Sequence, residues 1–144
     1  EINIVYGWAE QDPVEAVKEL ATWPPGASLT HSSGTIAQLW LSEDPTAATQ
    51  WISTLPQGAA RDNAVTQLVY TVGKNDPASA YNWAASIGNP VTRNSQILNL
   101  LNQWSGTNPS AAAAAAQNVL GNFTDLTSGQ QTTLQKIAAK ATAP

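Results

Sequence analysis

The stretch Trp40-Leu41-Ser42-Glu43-Asp44-Pro45-Thr46-Ala47-Ala48 decides the fold, because its frame returns along the whole chain. Asp-Pro or Asn-Pro stands at Asp12-Pro13, Asp44-Pro45, Asp76-Pro77 and Asn108-Pro109, each step being 32 residues. Alanine follows at one fixed offset, as Ala16, Ala48, Ala80 and Ala112, and Trp8, Trp40, Val72 or Trp104 precedes at another. Three positions in register over four units mark a tandem array, and periods of about 20–50 residues belong to repeat architectures.

Each frame reads as a helix start. Asp or Asn caps a helix by accepting a bond from an orphan backbone N–H. Proline at the next position has its backbone angle preset and wastes no donor. The apolar positions that follow keep helical spacing: Ala16, Leu20 and Trp23; Ala48, Ile52 and Leu55; Ala80, Ala84 and Ile87; Ala112, Ala116 and Val119. Breakers then intervene at Pro24-Pro25-Gly26, Pro56-Gln57-Gly58, Gly88-Asn89-Pro90 and Gly121-Asn122. A second helix follows each one. Its stripe is Ile36, Ala37 and Trp40, then Val65, Leu68, Val69 and Val72, then Ile97, Leu100, Leu101 and Trp104. The fourth unit slips by a residue or two, to Leu134, Ile137 and Ala138, with Ser128 and Gln131 spaced as a capping box.

The repeats run over about 12–43, 44–75, 76–107 and 108–140 of one repeat domain spanning 1–144. Ahead of them, Ile4, Val5 and Trp8 keep the register of Ile36, Ala37 and Trp40, so residues 2–10 read as the last half of a second helix. The strand formers in Glu1-Ile2-Asn3-Ile4-Val5-Tyr6 are a competing signal for extended chain.

Paired short helices, the small Ala in each first helix and the Pro at each junction resemble the tetratricopeptide-like α-solenoids over essentially the whole chain. Tetratricopeptide units carry a Trp, Leu-Gly and Tyr signature over 34 residues, whereas the units here read Trp-x-x-x-Asp/Asn-Pro-x-x-Ala over 32. The resemblance implies an all-α, right-handed α-solenoid of antiparallel helix pairs, about eight helices plus the N-terminal half-helix. It also implies a protein-interaction or assembly role, and it carries over no catalytic residue.

Composition narrows the function classes. Charged residues make up 11%, well under the roughly 25% usual for soluble domains, so Asn, Gln, Ser and Thr must supply the polar surface. Fewer charges mean less self-repulsion on dense assembly. With no Cys, disulfides and thiolate chemistry are excluded. A formal charge of −4 without a basic patch speaks against nucleic acid. No apolar run approaches the roughly 20 residues of a membrane span. A first residue of Glu1 fits a processed or excised chain, and low charge points to an extracellular or cell-surface location with a signal peptide removed.

No constellation points to catalysis, a cofactor or a metal. The single histidine, His31, followed by Ser32 and Ser33, lacks an orienting acid in any recognisable motif and reads as a surface residue. Asp12, Asp44, Asp76 and Glu15 are accounted for by capping and the first-turn dipole. Trp8, Trp40 and Trp104 fall on the core stripe, while Trp51 and Trp83 share a column at its edge, as packing residues or a ligand face. Arg61 and Arg93 share a column that suits a carbonyl contact or ion pair with the next unit. Asn122-Phe123-Thr124 matches a glycosylation acceptor, a short motif frequent by chance.

The ends differ in charge. Residues 1–20 carry five carboxylates and one lysine, a net of −4, and residues 126–144 carry Lys136 and Lys140 without an acid, a net of +2. Unlike ends permit head-to-tail contacts that propagate as open filaments. The expected function is therefore self-assembly by a non-enzymatic structural protein, with Ile4, Val5 and Trp8 facing Leu134, Lys136, Ile137 and Lys140 of another copy. The alternatives are a protein- or peptide-binding module and a fragment of a longer repeat protein.

Overall fold

The computed structural model describes residues 2–140. Every regular element among them is an α-helix, and there are nine: α1 (Ile2–Gln11), α2 (Pro13–Leu20), α3 (Ala27–Glu43), α4 (Pro45–Thr54), α5 (Ala59–Val72), α6 (Pro77–Ala85), α7 (Pro90–Thr107), α8 (Pro109–Asn122) and α9 (Ser128–Lys140). The helices pack against neighbours in chain order, and the odd-numbered ones also form a row, α1 on α3, α3 on α5, α5 on α7 and α7 on α9. The N-terminal segment is helical, so its strand formers are overridden by packing on α2 and α3.

The recurring frame is the joint between helices, a single residue at Asp12, Asp44 and Asn108 and a short turn over 73–76 in the third unit. The N–H of Asp12, Asp44, Asp76 and Asn108 donates to the carbonyl of Trp8, Trp40, Val72 and Trp104 at 2.6–2.8 Å, ending one helix. The side chain of the same residue accepts the N–H three residues on, at 3.1 Å in all four units, starting the next. Its own carbonyl takes the N–H of Ala16, Ala48, Ala80 or Ala112 at 3.0–3.1 Å. The backbone angles at the joint are nearly constant, φ running from −139 to −151°. A short acceptor side chain followed by proline serves both roles, which suits Asp and Asn here.

The alanine column lies within the core: Ala48, Ala80 and Ala112 are fully buried and Ala16 nearly so. Small side chains there let the first helix of each unit lie close to its neighbours. Leu20, Ile52, Ala84, Ile87, Ala116 and Val119 complete the buried stripe, with Trp23 and Leu55 partly covered at its end.

Three local expectations are corrected. The capping box of α9 is Thr127 with Gln130, not Ser128 with Gln131: Gln130 N–H donates to Thr127 Oγ1 at 3.1 Å and Thr127 N–H to Gln130 Oε1 at 2.9 Å. The cap sits one residue earlier because Leu126 turns in against the core. Helix α8 runs through Gly121 to Asn122, since the Asn122 side chain bonds the Asn118 carbonyl at 2.7 Å and keeps the last turn closed. Trp8 departs from the core stripe and is exposed, where Trp40 is buried and Val72 and Trp104 are partly buried.

Candidate functional site

The first turns of α5 and α7 tie successive units together. In α5, Arg61 donates from Nη1 to the Ser86 carbonyl and from Nη2 to Ser86 Oγ, both at 3.1 Å. Beside it, buried Asp62 accepts the N–H groups of Gly88 and Asn89, each at 3.0 Å. One unit on, Arg93 pairs with Asp125 and stacks on Phe123, its guanidinium 4.1 Å from the ring centre. Asn94 donates to Asp125 Oδ1 at 3.2 Å. The Arg column is thus an inter-unit tie, one by a carbonyl contact and the other by an ion pair. Hydrogen bonds from Arg93 and then Asn94 hold the Asp125 carboxyl below the usual carboxylate range.

The N-terminal end is built differently. Pro24 and Pro25 occupy the places of Gly88 and Asn89, two units back, and a proline has no N–H for an aspartate to grip. What remains is a groove of about 590 Å³ lined by Ile4, Trp8, Glu19, Trp23, Pro24 and Pro25. Ile4 is 57% exposed, whereas Ile36, Leu68 and Leu100 in the same column are 0%, 0% and 5% exposed. Trp8 is 45% exposed where Trp40 is buried. The reason is the missing neighbour, since no helix among the described residues lies against α1 as α2 lies against α3. Tyr6 and Val14 are exposed nearby, so among the described residues four of the six exposed large apolar side chains fall between residues 4 and 14. Glu15 holds Lys18 at 2.6 Å, a bond that raises the lysine's pKa, and Glu15 and Glu19 line a hollow with Trp8 and Asp12.

The other expected site residues divide in two. Val5, Leu134 and Ile137 are buried in the chain's own core, Val5 on α1 and the other two on α9, which packs on α7 and α8. Their side chains face inward, and of the seven expected assembly residues only Ile4, Trp8, Lys136 and Lys140 present themselves outward. Trp51 and Trp83 are half-buried and packed on the core, and Trp51 lies with its ring centre 5.9 Å from that of Trp40. His31 is exposed. Among the described residues no group of three or more His, Cys, Asp or Glu gathers as for a metal, and no helix is long and apolar enough to cross a membrane.

A cleft of about 760 Å³ between α5 and α7 has no counterpart in the sequence reading. The amides at Gln96, Asn99 and Gln103, three and four residues apart on α7, are the signal that points to it. Comparison with known proteins found no matching family model, no matching curated protein and no matching solved structure.

Proposed function

We propose that the chain is a non-enzymatic assembly protein, a right-handed α-solenoid whose copies stack head to tail into an extracellular filament or surface assembly. The observation that carries this reading is the surface of Ile4, whose counterparts Ile36, Leu68 and Leu100 are buried, and of Trp8, more exposed than Trp40, Val72 and Trp104 in its column. An apolar surface concentrated at one end marks an interaction site. The rim is acidic, with Glu19 lining the groove and Asp12 and Glu15 lining a hollow shared with Trp8, and the opposite end presents Lys136 and Lys140 one helical turn apart. The lysine stems are long enough to lie along Trp8 and Trp23 while their ammonium groups reach the acids.

Sedimentation velocity tests it. The purified chain is expected to grow with concentration at low ionic strength and to revert in salt, because exposed charges are screened within about 10 Å at 0.1 M. Trp8→Glu and the pair Lys136→Glu/Lys140→Glu are each expected to stop growth while circular dichroism stays helical. A chain that remains monomeric at low salt and high concentration sinks the reading.

A second reading is a protein-binding module that accepts another protein's helix at the same groove. It is favoured by α9, whose described residues include no exposed large apolar side chain to bury against Trp8. Partner capture that depends on Trp8 but is indifferent to Lys136 and Lys140 distinguishes it.

A further inference from the structure

The row of second helices is closed at one point and open at the next. Helices α3 and α5 lie along one another, because Gly34 carries no side chain where Asn63 crosses: a Cβ there would stand 2.4 Å from Asn63 Nδ2. Asn63 uses that space to donate to the Thr30 carbonyl at 2.8 Å. Helices α5 and α7 touch only sparsely. Leu100 fills the space over Gly73, its Cδ1 only 3.1 Å from where a Cβ would lie, and the two helices stand apart around the resulting cleft.

The lining of that cleft combines apolar side chains and carboxamides with Thr66, Tyr70 and Lys74. Its floor is apolar, made by Val69 and Leu100. Its walls carry five carboxamides, Gln67 on α5 and Gln96, Asn99, Asn102 and Gln103 on α7. None of the five bonds another group among the described residues, Asn99, Asn102 and Gln103 being exposed and Gln67 and Gln96 partly so, whereas Asn63, Asn89 and Asn94 are all engaged. Tyr70 stands at the lip, 68% exposed, with the Lys74 ammonium 4.5 Å from its ring centre. The lining includes no carboxylate.

We propose that the α5–α7 cleft binds a neutral oligosaccharide. A pyranose has apolar C–H faces and a belt of hydroxyls that donate and accept. An apolar floor between amide walls matches that cross-section, since each carboxamide offers both an acceptor and two donors. Tyr70 adds an amphipathic ring at the entrance. The volume falls within the roughly 300–1,000 Å³ of small-ligand sites.

The test is a titration of the full ¹⁵N-labelled chain with cellotetraose, maltotetraose and chitotetraose at millimolar concentration, with an uncharged, end-capped Ser/Thr hexapeptide as comparison. The side-chain NH₂ signals of the five cleft amides are expected to shift with at least one sugar while those of Asn63 and Asn89 stay. Gln96→Ala/Asn99→Ala is expected to weaken binding at least about tenfold, as loss of two hydrogen bonds requires. Tyr70→Ala, at an exposed position, is expected to weaken it with no change in helicity. Silence of the cleft amides with all three sugars overturns the proposal. So does a response to the peptide alone, or unchanged affinity in the amide double variant.

Discussion

Ile4 and Leu68 hold the same register position two units apart and meet opposite fates. Leu68 is sealed between its own unit and the next, and Ile4 faces solvent across a groove. The junctions around them differ in kind as well. Where α5 and α7 grip the following loop, the ties are Arg61, Asp62, Arg93 and Asn94, bonding backbone and side-chain groups one unit on. At the N-terminal end the loop offers two prolines and a tryptophan, and no polar tie forms among the described residues. A repeat therefore fixes where an apolar side chain points without fixing what covers it. Burial in such an array is a property of the neighbour as much as of the residue.

The widest gap between the two regions belongs to that shared column. Leu68→Ala is expected to cost about 2–5 kcal/mol, the range for emptying a fully buried site. Ile4→Ala in the isolated chain stays within about 1 kcal/mol, as exposed positions do. Urea unfolding of both variants measures the contrast, and equal costs would mean that Ile4 is covered after all.

Next comes the polar tie. Asp62→Ala leaves the Gly88 and Asn89 N–H groups without their acceptor, at about 1–3 kcal/mol for stranding buried donors. Hydrogen exchange at those two amides should accelerate first, ahead of global unfolding. If it does not, Asp62 is not what closes that junction.

A smaller effect is expected at the joints. Asp76→Ala removes the side-chain acceptor that starts α6 and should lower the urea midpoint by less than Asp62→Ala does. Asp76→Asn should recover most of it, because Asn108 performs the same task in the fourth unit.

The smallest effect is in acid. Arg93 and Asn94 lower the Asp125 pKa, and the Ser79 hydroxyl and N–H lower that of Asp76. A carboxyl with a lower pKa folded than unfolded adds stability above its unfolded value and loses it as pH falls through the folded one. Stability should therefore decline below about pH 4, the ordinary carboxylate range. Asp125→Asn should flatten that slope, read as urea midpoints at neutral pH and at about pH 3. A slope unchanged in Asp125→Asn places the acid sensitivity elsewhere.

The Trp-x-x-x-Asp/Asn-Pro-x-x-Ala frame was enough to locate the joints, because cap geometry is local. Acceptor, proline and the bonded N–H all lie within four residues of one another. The alanine and leucine stripes were legible for a similar reason, since helical spacing alone puts them on one face. The Arg61 and Arg93 column was also visible, although its acceptors, Ser86 and Asp125, lie 25 and 32 residues away and only the fold brings them together.

What only the tertiary structure decided is where the array is closed and where it stands open. The period treats α1, α3, α5 and α7 alike. Packing then leaves Ile4 and Trp8 bare, turns Leu134 and Ile137 inward and parts α5 from α7 around unbonded amides. The physical reason is that spacing along a chain sets the direction of a side chain, whereas coverage depends on the volumes that meet there: a glycine beneath Asn63, a leucine over Gly73, and prolines where a donor would otherwise stand.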